Sequence, residues 1–340
     1  MKAFVIDEKK EMGDLTHLRE ATDIPKPAAK GQDIVVKIKA VATNPIDYKV
    51  LGMGGPCELD DPLTVGYDAA GIVDSVGPDT TIFKEGDEVF FSGSMTRAGT
   101  FAEYTAVDER IVGKKPSNLS WSKAAAMPLT TLAAWEAMVD KLHIPVDKEA
   151  NAGKTILITA AAGGVGSIAT QIAKNVLGLT VIGTASRPET EAYAKDRGCD
   201  YIVSHRSEYK PQLEELGIDG VDYVLNLSVL KPEIIDQYAD IVKPYGAIAS
   251  ILAEVVVDLQ VLFVKSISFC PVLMFTRPMF GVDMERQNEI LNEASNLLDE
   301  GVLESTETET FELTLENLKK ALEMQQSGKG IGKTTLSFSE

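Results

Sequence analysis

Twenty residues, Thr155 to Lys174, set the strongest constraint on this chain: TILITAAAGGVGSIATQIAK. A short apolar segment runs into AAGGVG. An amphipathic stripe follows, made by Val165, Ile168, Ala169, Ile172, Ala173, Val176 and Leu177. That pattern predicts a buried strand, a tight turn and a helix. Ala161, Gly163 and Gly166 occupy the three small positions of G-x-G-x-x-G, with alanine replacing the first glycine. In that motif the second glycine lets the backbone approach a pyrophosphate, and the third lets the helix pack against the strand. The helix start supplies N–H donors and a positive dipole end. The expected cradle is Gly163, Gly164, Val165 and Gly166. A glycine string alone is equally a plain turn, so context has to decide.

The context is an array of apolar segments separated by crossovers: TILITA, TVIGTA, DYIVSH, VDYVLNL, GAIASIL and SISFCPVL. Six such strands predict a doubly wound parallel sheet, with the glycine turn after its first strand. The second strand ends TVIGTASRPE. A cofactor with a free ribose 2′-OH meets Asp or Glu about 20 residues past the glycines. Here Ser186 and Arg187 stand instead, a hydroxyl and a guanidinium suited to a 2′-phosphate. This points to NADPH; a solvated surface arginine is the competing reading.

The first 120 or so residues read differently, as short strands punctuated by glycine and proline, for example DIVVKIKAVATN, AAGIVDSVGPD and GDEVFFSG. Such a run predicts an antiparallel, barrel-like domain. The pattern changes near Trp121. After the parallel array come two amphipathic helices and a last strand, GKTTLSFS, expected to rejoin the N-terminal domain. The net charge of −18 argues against nucleic acid or an anionic membrane surface as partner. The opening MKAFVIDEKK has no apolar stretch or cleavage pattern, and no apolar run approaches the ~20 residues of a membrane span. A cytoplasmic location is expected. Cys57, Cys199 and Cys270 show no paired spacing, so neither a disulfide framework nor a zinc pattern is expected.

NPIDYKVLG, LTVGYDAAGIVDSVG, GDEVFF, GTFAEYTAVDE, AAAMPLTTLAAWEAM and AAGGVG occur in an order and spacing that resembles the medium-chain dehydrogenase/reductase superfamily, in particular its zinc-free quinone-oxidoreductase branch. ASRPET and MFTRPMFGVDM are similar to a bacterial subgroup called zinc-type alcohol dehydrogenase-like proteins. The resemblance implies an α/β chain. Residues 1–125 and 300–340 would form a GroES-like, β-rich catalytic domain, residues 126–299 a Rossmann cofactor domain, with a cleft between them. It places Asn44 and Lys49 facing the nicotinamide, with Tyr48 and Tyr67 as hydroxyl donors or packing residues. It gives Thr130 a cofactor contact and sets His205 near the adenosine. It also brings Lys333 of GIGK back toward the cofactor phosphates, unless Lys333 is merely exposed. Relatives pair through the last strand of the cofactor domain, so a homodimer is expected.

In zinc members a Cys precedes this first loop and a His-Glu pair follows the glycine at Gly66. This chain has Thr43-Asn44 and Tyr67-Asp68 there, and His17, His143 and His205 are scattered. A tetrahedral zinc site needs three or four converging ligands, and none is expected. Without a Lewis acid, alcohol oxidation loses its main electrostatic help. Hydride delivery to a quinone or α,β-unsaturated carbonyl loses less, because the developing charge delocalises. The expected activity is NADPH-dependent reduction of such acceptors. An alcohol or aldehyde reductase, and a non-catalytic NADPH-binding redox sensor, are the alternatives.

Overall fold

The computed structural model describes residues 1–7, 11–50, 62–252 and 256–338. Cys57 and nearly all of the 50–62 loop expected to shape specificity lie outside the described residues, as do residues 253–255 of the second such loop, 253–282. The chain divides into two compact units. One comprises Met1–Leu132, Phe275–Gly301 and Ser305–Glu340, the other Ala133–Met274 and Val302–Glu304.

In the first unit the ten-residue strand Asp33–Ala42 is the hub. Its β-branched Ile34, Val35, Val36, Ile38 and Val41 are all buried, as suits a strand covered on both faces. It pairs antiparallel with Asp68–Val76, with Tyr104–Asp108 and with the C-terminal strand Lys333–Ser337. The sheet continues through Glu88–Ser92 to Val112–Lys114 on one side and to Glu307–Glu312 on the other. A three-stranded sheet of Leu18–Ala21, Ala3–Ile6 and Leu63–Thr64 closes over the same core, which holds Phe4, Ile34, Phe91, Phe101 and Leu336. Gly66 turns the chain just before Tyr67 and Asp68. Its φ is +96°, and a Cβ there would lie 2.3 Å from the Phe101 ring.

The helix Glu285–Asp299, first of the two tail helices expected to rejoin the N-terminal domain, lies in this unit, although the bound at residue 299 had left it with the cofactor domain. Asn288 Nδ2 donates to the Val112 carbonyl, and the Lys114 N–H donates to Asn292 Oδ1 at 2.9 Å. At the end of the helix, Asp299 accepts the N–H groups of Ser117 and Asn118. An amphipathic stripe specifies that a helix buries one face but not which core receives it.

The second unit is a six-stranded, wholly parallel sheet in the order Tyr201–Val203, Thr180–Thr184, Thr155–Ile158, Val221–Asn226, Val242–Ser250, Ser268–Pro271. These are the six strands expected from the sequence. The spatial order, reversing between Thr155–Ile158 and Val221–Asn226, is that of a Rossmann sheet, whose ligands bind beyond the carboxyl ends of the strands at the reversal. No helix among the described residues is long and apolar enough to cross a membrane.

Candidate functional site

The glycine turn follows the strand Thr155–Ile158. Ala160 adopts φ +49°, the left-handed region that L side chains rarely enter. The turn is held from the next strand: Thr184 Oγ1 accepts the Ala160 N–H at 2.9 Å, and the Thr184 carbonyl accepts that of Ala161. The helix Gly164–Gln171 starts from Gly163, which has no side chain to cap it. Its first intrahelical bond runs from the Ser167 N–H to the Gly163 carbonyl, 2.9 Å. The N–H groups of Gly164, Val165 and Gly166 precede it and are the donors that a helix start leaves for a ligand. A Cβ on Gly166 would sit 2.2 Å from the Ala160 carbonyl oxygen, so the third glycine is there for close helix–strand packing. N–H groups at the start of a helix, on a turn of small residues, fit a dinucleotide diphosphate.

Ser186 and Arg187 follow the neighbouring strand Thr180–Thr184, and His205 follows the strand beyond it, Tyr201–Val203. Parallel pairing of Thr184 with Val203 brings them together, with Ser186 Oγ 3.4 Å from His205 Nε2. The Arg187 N–H bonds to Thr190 Oγ1 at the start of the helix Pro188–Asp196, and its guanidinium meets Glu189 at 3.2 Å. The carboxyl ends of three adjacent strands thus carry the glycine cradle and the three residues expected at the adenosine.

In the first unit, Asn44 precedes the short helix Pro45–Lys49. The Asn44 N–H donates to Asp47 Oδ2 at 2.6 Å and its side-chain Nδ2 to Asp68 Oδ2 at 2.9 Å. Asp68 Oδ1 accepts the Leu129 N–H at 2.7 Å, at the start of the helix Pro128–Trp135. Lys333 completes the cluster. Its Nζ donates to Asp68 Oδ2 at 3.0 Å, to the Thr43 carbonyl at 2.9 Å and to Asn44 Oδ1. The Lys333 and Asp68 side chains are 2% and 0% exposed. The alternative made from the sequence, that Lys333 is merely exposed, is therefore corrected. It is not exposed, and its three donors are all spent inside the protein, leaving none for a cofactor phosphate in this arrangement.

The remaining expected residues are spread around this cluster. Tyr48 packs on the core of the unit, and Lys49 is half-buried in the last turn of its helix. Tyr67 is buried against Phe275, ring centroids 4.8 Å apart. The Thr130 hydroxyl donates to the Met127 carbonyl at 3.2 Å and the Ala126 carbonyl at 3.4 Å, so its proton is directed along its own chain. Asp68 was visible in the sequence only as the residue standing at a former ligand position. Its partner Lys333 is 265 residues away, beyond the reach of any local pattern.

The fold family implies zinc, and the residues do not fit it. The positions that would supply ligands hold Thr43, Asn44, Tyr67 and Asp68, and an ammonium already bonds the Thr43 carbonyl, Asn44 Oδ1 and Asp68 Oδ2. Among the described residues no group of three or more His, Cys, Asp or Glu could hold a metal ion.

With this geometry established, comparison with known proteins is direct. The "Alcohol dehydrogenase GroES-like domain" family matches residues 30–117, and the "Zinc-binding dehydrogenase" family matches residues 164–296. A zinc-type alcohol dehydrogenase-like protein of Staphylococcus aureus is 38% identical over 336 residues, 97% of each chain. An NADPH-dependent alkenal/one oxidoreductase of Arabidopsis thaliana is 34% identical over 216 residues, 61% of this chain and 53% of that one. Among solved structures, a putative zinc-dependent alcohol dehydrogenase from Rhizobium etli is 42% identical with a TM-score of 0.91, covering 100% of this chain and 98% of that one. The quinone oxidoreductase of Coxiella burnetii is 26% identical with a TM-score of 0.79, covering 100% and 99%. The chain belongs to the medium-chain dehydrogenase/reductase superfamily, a family of nicotinamide-dependent oxidoreductases.

Asp47 is driven far from its ordinary behaviour. Burial pushes its carboxyl up to about 8, against the opposing pull of the Asn44 N–H and of Lys333, while Asp68 adds to the rise. Its Oδ1 has no hydrogen-bond partner. An acid whose folded pKa is raised gives its full stability below the unfolded value, about 3.9, and that stability is lost as pH climbs to the folded value. Asp47→Asn keeps an oxygen for the Asn44 N–H and cannot ionise. Its stability relative to wild type should therefore rise between pH 5 and pH 8.5 by a few kcal/mol, on the order of 1.4 kcal/mol per pH unit at most. Thermal unfolding at the two pH values measures this; a difference that does not change with pH would refute the burial argument.

Proposed function

We propose that the chain is an NADPH-dependent reductase of quinones or other conjugated carbonyl acceptors, working without a metal ion. The observation that carries this reading is the Lys333 ammonium bonded to Asp68, Asn44 and Thr43 at the positions where zinc members hold their metal. An ammonium with all donors engaged offers no open coordination position to a carbonyl or alkoxide. Conjugated acceptors need that help least. Two relatives support the class by name, the alkenal/one oxidoreductase above and a 2-methylene-furan-3-one reductase of Solanum lycopersicum, 35% identical over 205 residues.

A bound reduced nicotinamide supplies the hydride. In this reading Gly163, Gly164, Val165 and Gly166 hold the diphosphate, and Ser186, Arg187 and His205 the 2′-phosphate. Asn44, Tyr48, Lys49 and Tyr67 are the candidates for orienting the acceptor, with Thr130 a candidate cofactor contact. The proton that completes the reduction comes from water or from a tyrosine hydroxyl. The names of the zinc-type relatives favour a second reading, an alcohol or aldehyde reductase; a non-catalytic NADPH-binding sensor is a third. The chain as a homodimer is also part of the proposal. Ser268–Pro271 ends its sheet, and Phe263 and Val264 nearby are 82% and 91% exposed.

Oxidation of NADPH with a panel of acceptors should favour quinones and enones over simple ketones, with negligible ethanol oxidation and no stoichiometric zinc by elemental analysis. Comparable kcat/KM for ethanol and a quinone, or about one zinc per chain, favours the alcohol dehydrogenase reading. NADPH binding with no turnover of any acceptor favours the sensor. NADPH should bind at least about tenfold more tightly than NADH, since a hydrogen bond to a charged group contributes about 1.5–3 kcal/mol. Arg187→Ala should remove most of that margin, and equal affinities in the wild type would show that Arg187 does not read the phosphate. Light scattering in solution should give twice the chain mass; a monomer mass removes the dimer.

A further inference from the structure

We infer that Tyr238, acting through Asn226, is a positioning residue for the nicotinamide end of the dinucleotide, and that it leaves the Ser228 hydroxyl as the group that meets this end. This rests on the dinucleotide reading of the glycine turn and extends it to the other half of the ligand. The residues proposed at the adenosine follow Thr180–Thr184 and Tyr201–Val203, on one side of the strand that carries the glycine turn. On its other side lie Val221–Asn226 and Val242–Ser250. A dinucleotide crosses such a sheet where the strand order reverses, so its second half extends over the carboxyl ends of these two strands. Those ends carry a polar network, in which Thr159, Asn226, Tyr238 and Ser250 are each at most 2% exposed.

Asn226 spends its whole amide inside the network. Its Nδ2 donates to the Ser228 carbonyl at 2.7 Å and to Ser250 Oγ at 3.0 Å, and its Oδ1 accepts the Tyr238 hydroxyl at 2.7 Å. The Asn226 carbonyl accepts the Ile251 N–H at 3.2 Å. Ser250 Oγ donates to the Leu252 carbonyl, and Thr159 Oγ1 accepts the Leu227 N–H, both at 2.7 Å. The turns after three neighbouring strands are thereby tied to one buried amide. A carbonyl only accepts, so Ser228 fixes the amide nitrogen on its side, and the phenol of Tyr238, from the helix Pro232–Ile241, satisfies the oxygen. Burial holds that phenol well above its ordinary pKa, so it stays a donor. Ser228 is held differently. It is half-buried, and its hydroxyl reaches Asn226 Oδ1 at 3.3 Å and Thr159 Oγ1 at 3.5 Å, contacts too long to be strong. Because Tyr238 already satisfies Asn226 Oδ1, the Ser228 hydroxyl can turn to a ribose hydroxyl or a carboxamide at little cost. Without the phenol, a buried oxygen would draw that hydroxyl inward.

The full chain, Ser228→Ala, Tyr238→Phe and the double variant are titrated with NADPH and with adenosine 2′,5′-bisphosphate, which has the adenosine end alone. Ser228→Ala should weaken NADPH about fivefold, the scale of one neutral hydrogen bond, and leave the bisphosphate within about twofold. Tyr238→Phe should weaken NADPH about threefold and spare the bisphosphate in the same way. The double variant should bind NADPH no more weakly than Ser228→Ala, because Tyr238 acts through Ser228. The emission anisotropy of bound NADPH, which reports the dihydronicotinamide, should fall in both single variants. A Tyr238→Phe chain that melts earlier yet binds and emits like the wild type shows packing alone and overturns the positioning role, as do additive losses in the double variant. Ser228→Ala with wild-type affinities, or with equal losses for both ligands, overturns the contact, and this variant on a half-buried turn keeps the test decisive if Tyr238→Phe does not fold. A wild type that binds NADH as tightly as NADPH removes only the 2′-phosphate reading, and the comparison is then made with NADH and adenosine monophosphate. Binding of neither dinucleotide overturns the dinucleotide reading and this role together.

Discussion

The first unit is organised around one buried ammonium. Lys333 and Asp68 are both withdrawn from water, and removing one member of such a pair typically costs about 3–5 kcal/mol because the other is left uncompensated. The lysine therefore has to arrive where its three acceptors are. The register of the last strand brings it there: Thr335 lies opposite Ala42 and Leu336 opposite Val41, so Lys333 comes alongside Thr43 and Asn44. Asp68 enters from the strand on the other side of Asp33–Ala42 and also receives the Leu129 N–H. Four segments far apart in the sequence are tied at one point, and the tail is thereby an integral part of the N-terminal fold.

That knot also fixes the chemistry of Asn44. An ammonium only donates and a carboxylate only accepts, so the amide oxygen must face Lys333 and the amide nitrogen must face Asp68. One N–H of Nδ2 remains for any further partner. Asp47 shows the opposite economy. Glu109, equally buried, accepts the backbone N–H groups of Thr81, Ile82 and Phe83 with its two oxygens. Asp47 accepts the N–H of Asn44 and has an orphaned second oxygen. A buried carboxylate so thinly supported holds its proton at neutral pH, which leaves the charges of Asp68 and Lys333 balanced against each other.

What could be read from the sequence was what local pattern encodes. The glycine turn, the six strands and the grouping of Ser186 with Arg187 follow from periodicity, turn chemistry and the absence of an acid at a defined distance. His205 was set near the adenosine only by the family resemblance, and its meeting with Ser186 depends on which strands are neighbours. The helix Glu285–Asp299 was recognised as amphipathic and as part of a tail that rejoins the N-terminal domain, but its stripe carries no address, and the bound drawn at residue 299 left it on the other side. The burial of Lys333 was out of reach for a related reason: a lysine between glycine and a polar strand can look solvated, and only an aspartate 265 residues earlier explains its burial. Ala160 gives no sequence signal at all. A non-glycine residue at φ +49° is tolerated there because Thr184 satisfies the backbone on both sides of its Cα.

The Arg187–Glu189 contact bears on how strongly a phosphate can be held. The guanidinium meets Glu189 Oε1 at 3.2 Å, on side chains 32% and 56% exposed. A phosphate must share or displace that carboxylate, so the gain on binding is the difference between two charge-assisted contacts and not the whole of one. The pair is exposed and by itself contributes only about 0–1 kcal/mol, so displacing it costs little. It nevertheless holds a long, rotamer-rich side chain near its working position, which lowers the ordering entropy that a ligand would otherwise have to offset. If Arg187 holds the 2′-phosphate as proposed, Glu189 is a weak internal stand-in for that anion. On the proposed NADPH reading, an affinity trimmed in this way would suit release of the oxidised nucleotide, which still carries the same 2′-phosphate, at the end of a turnover.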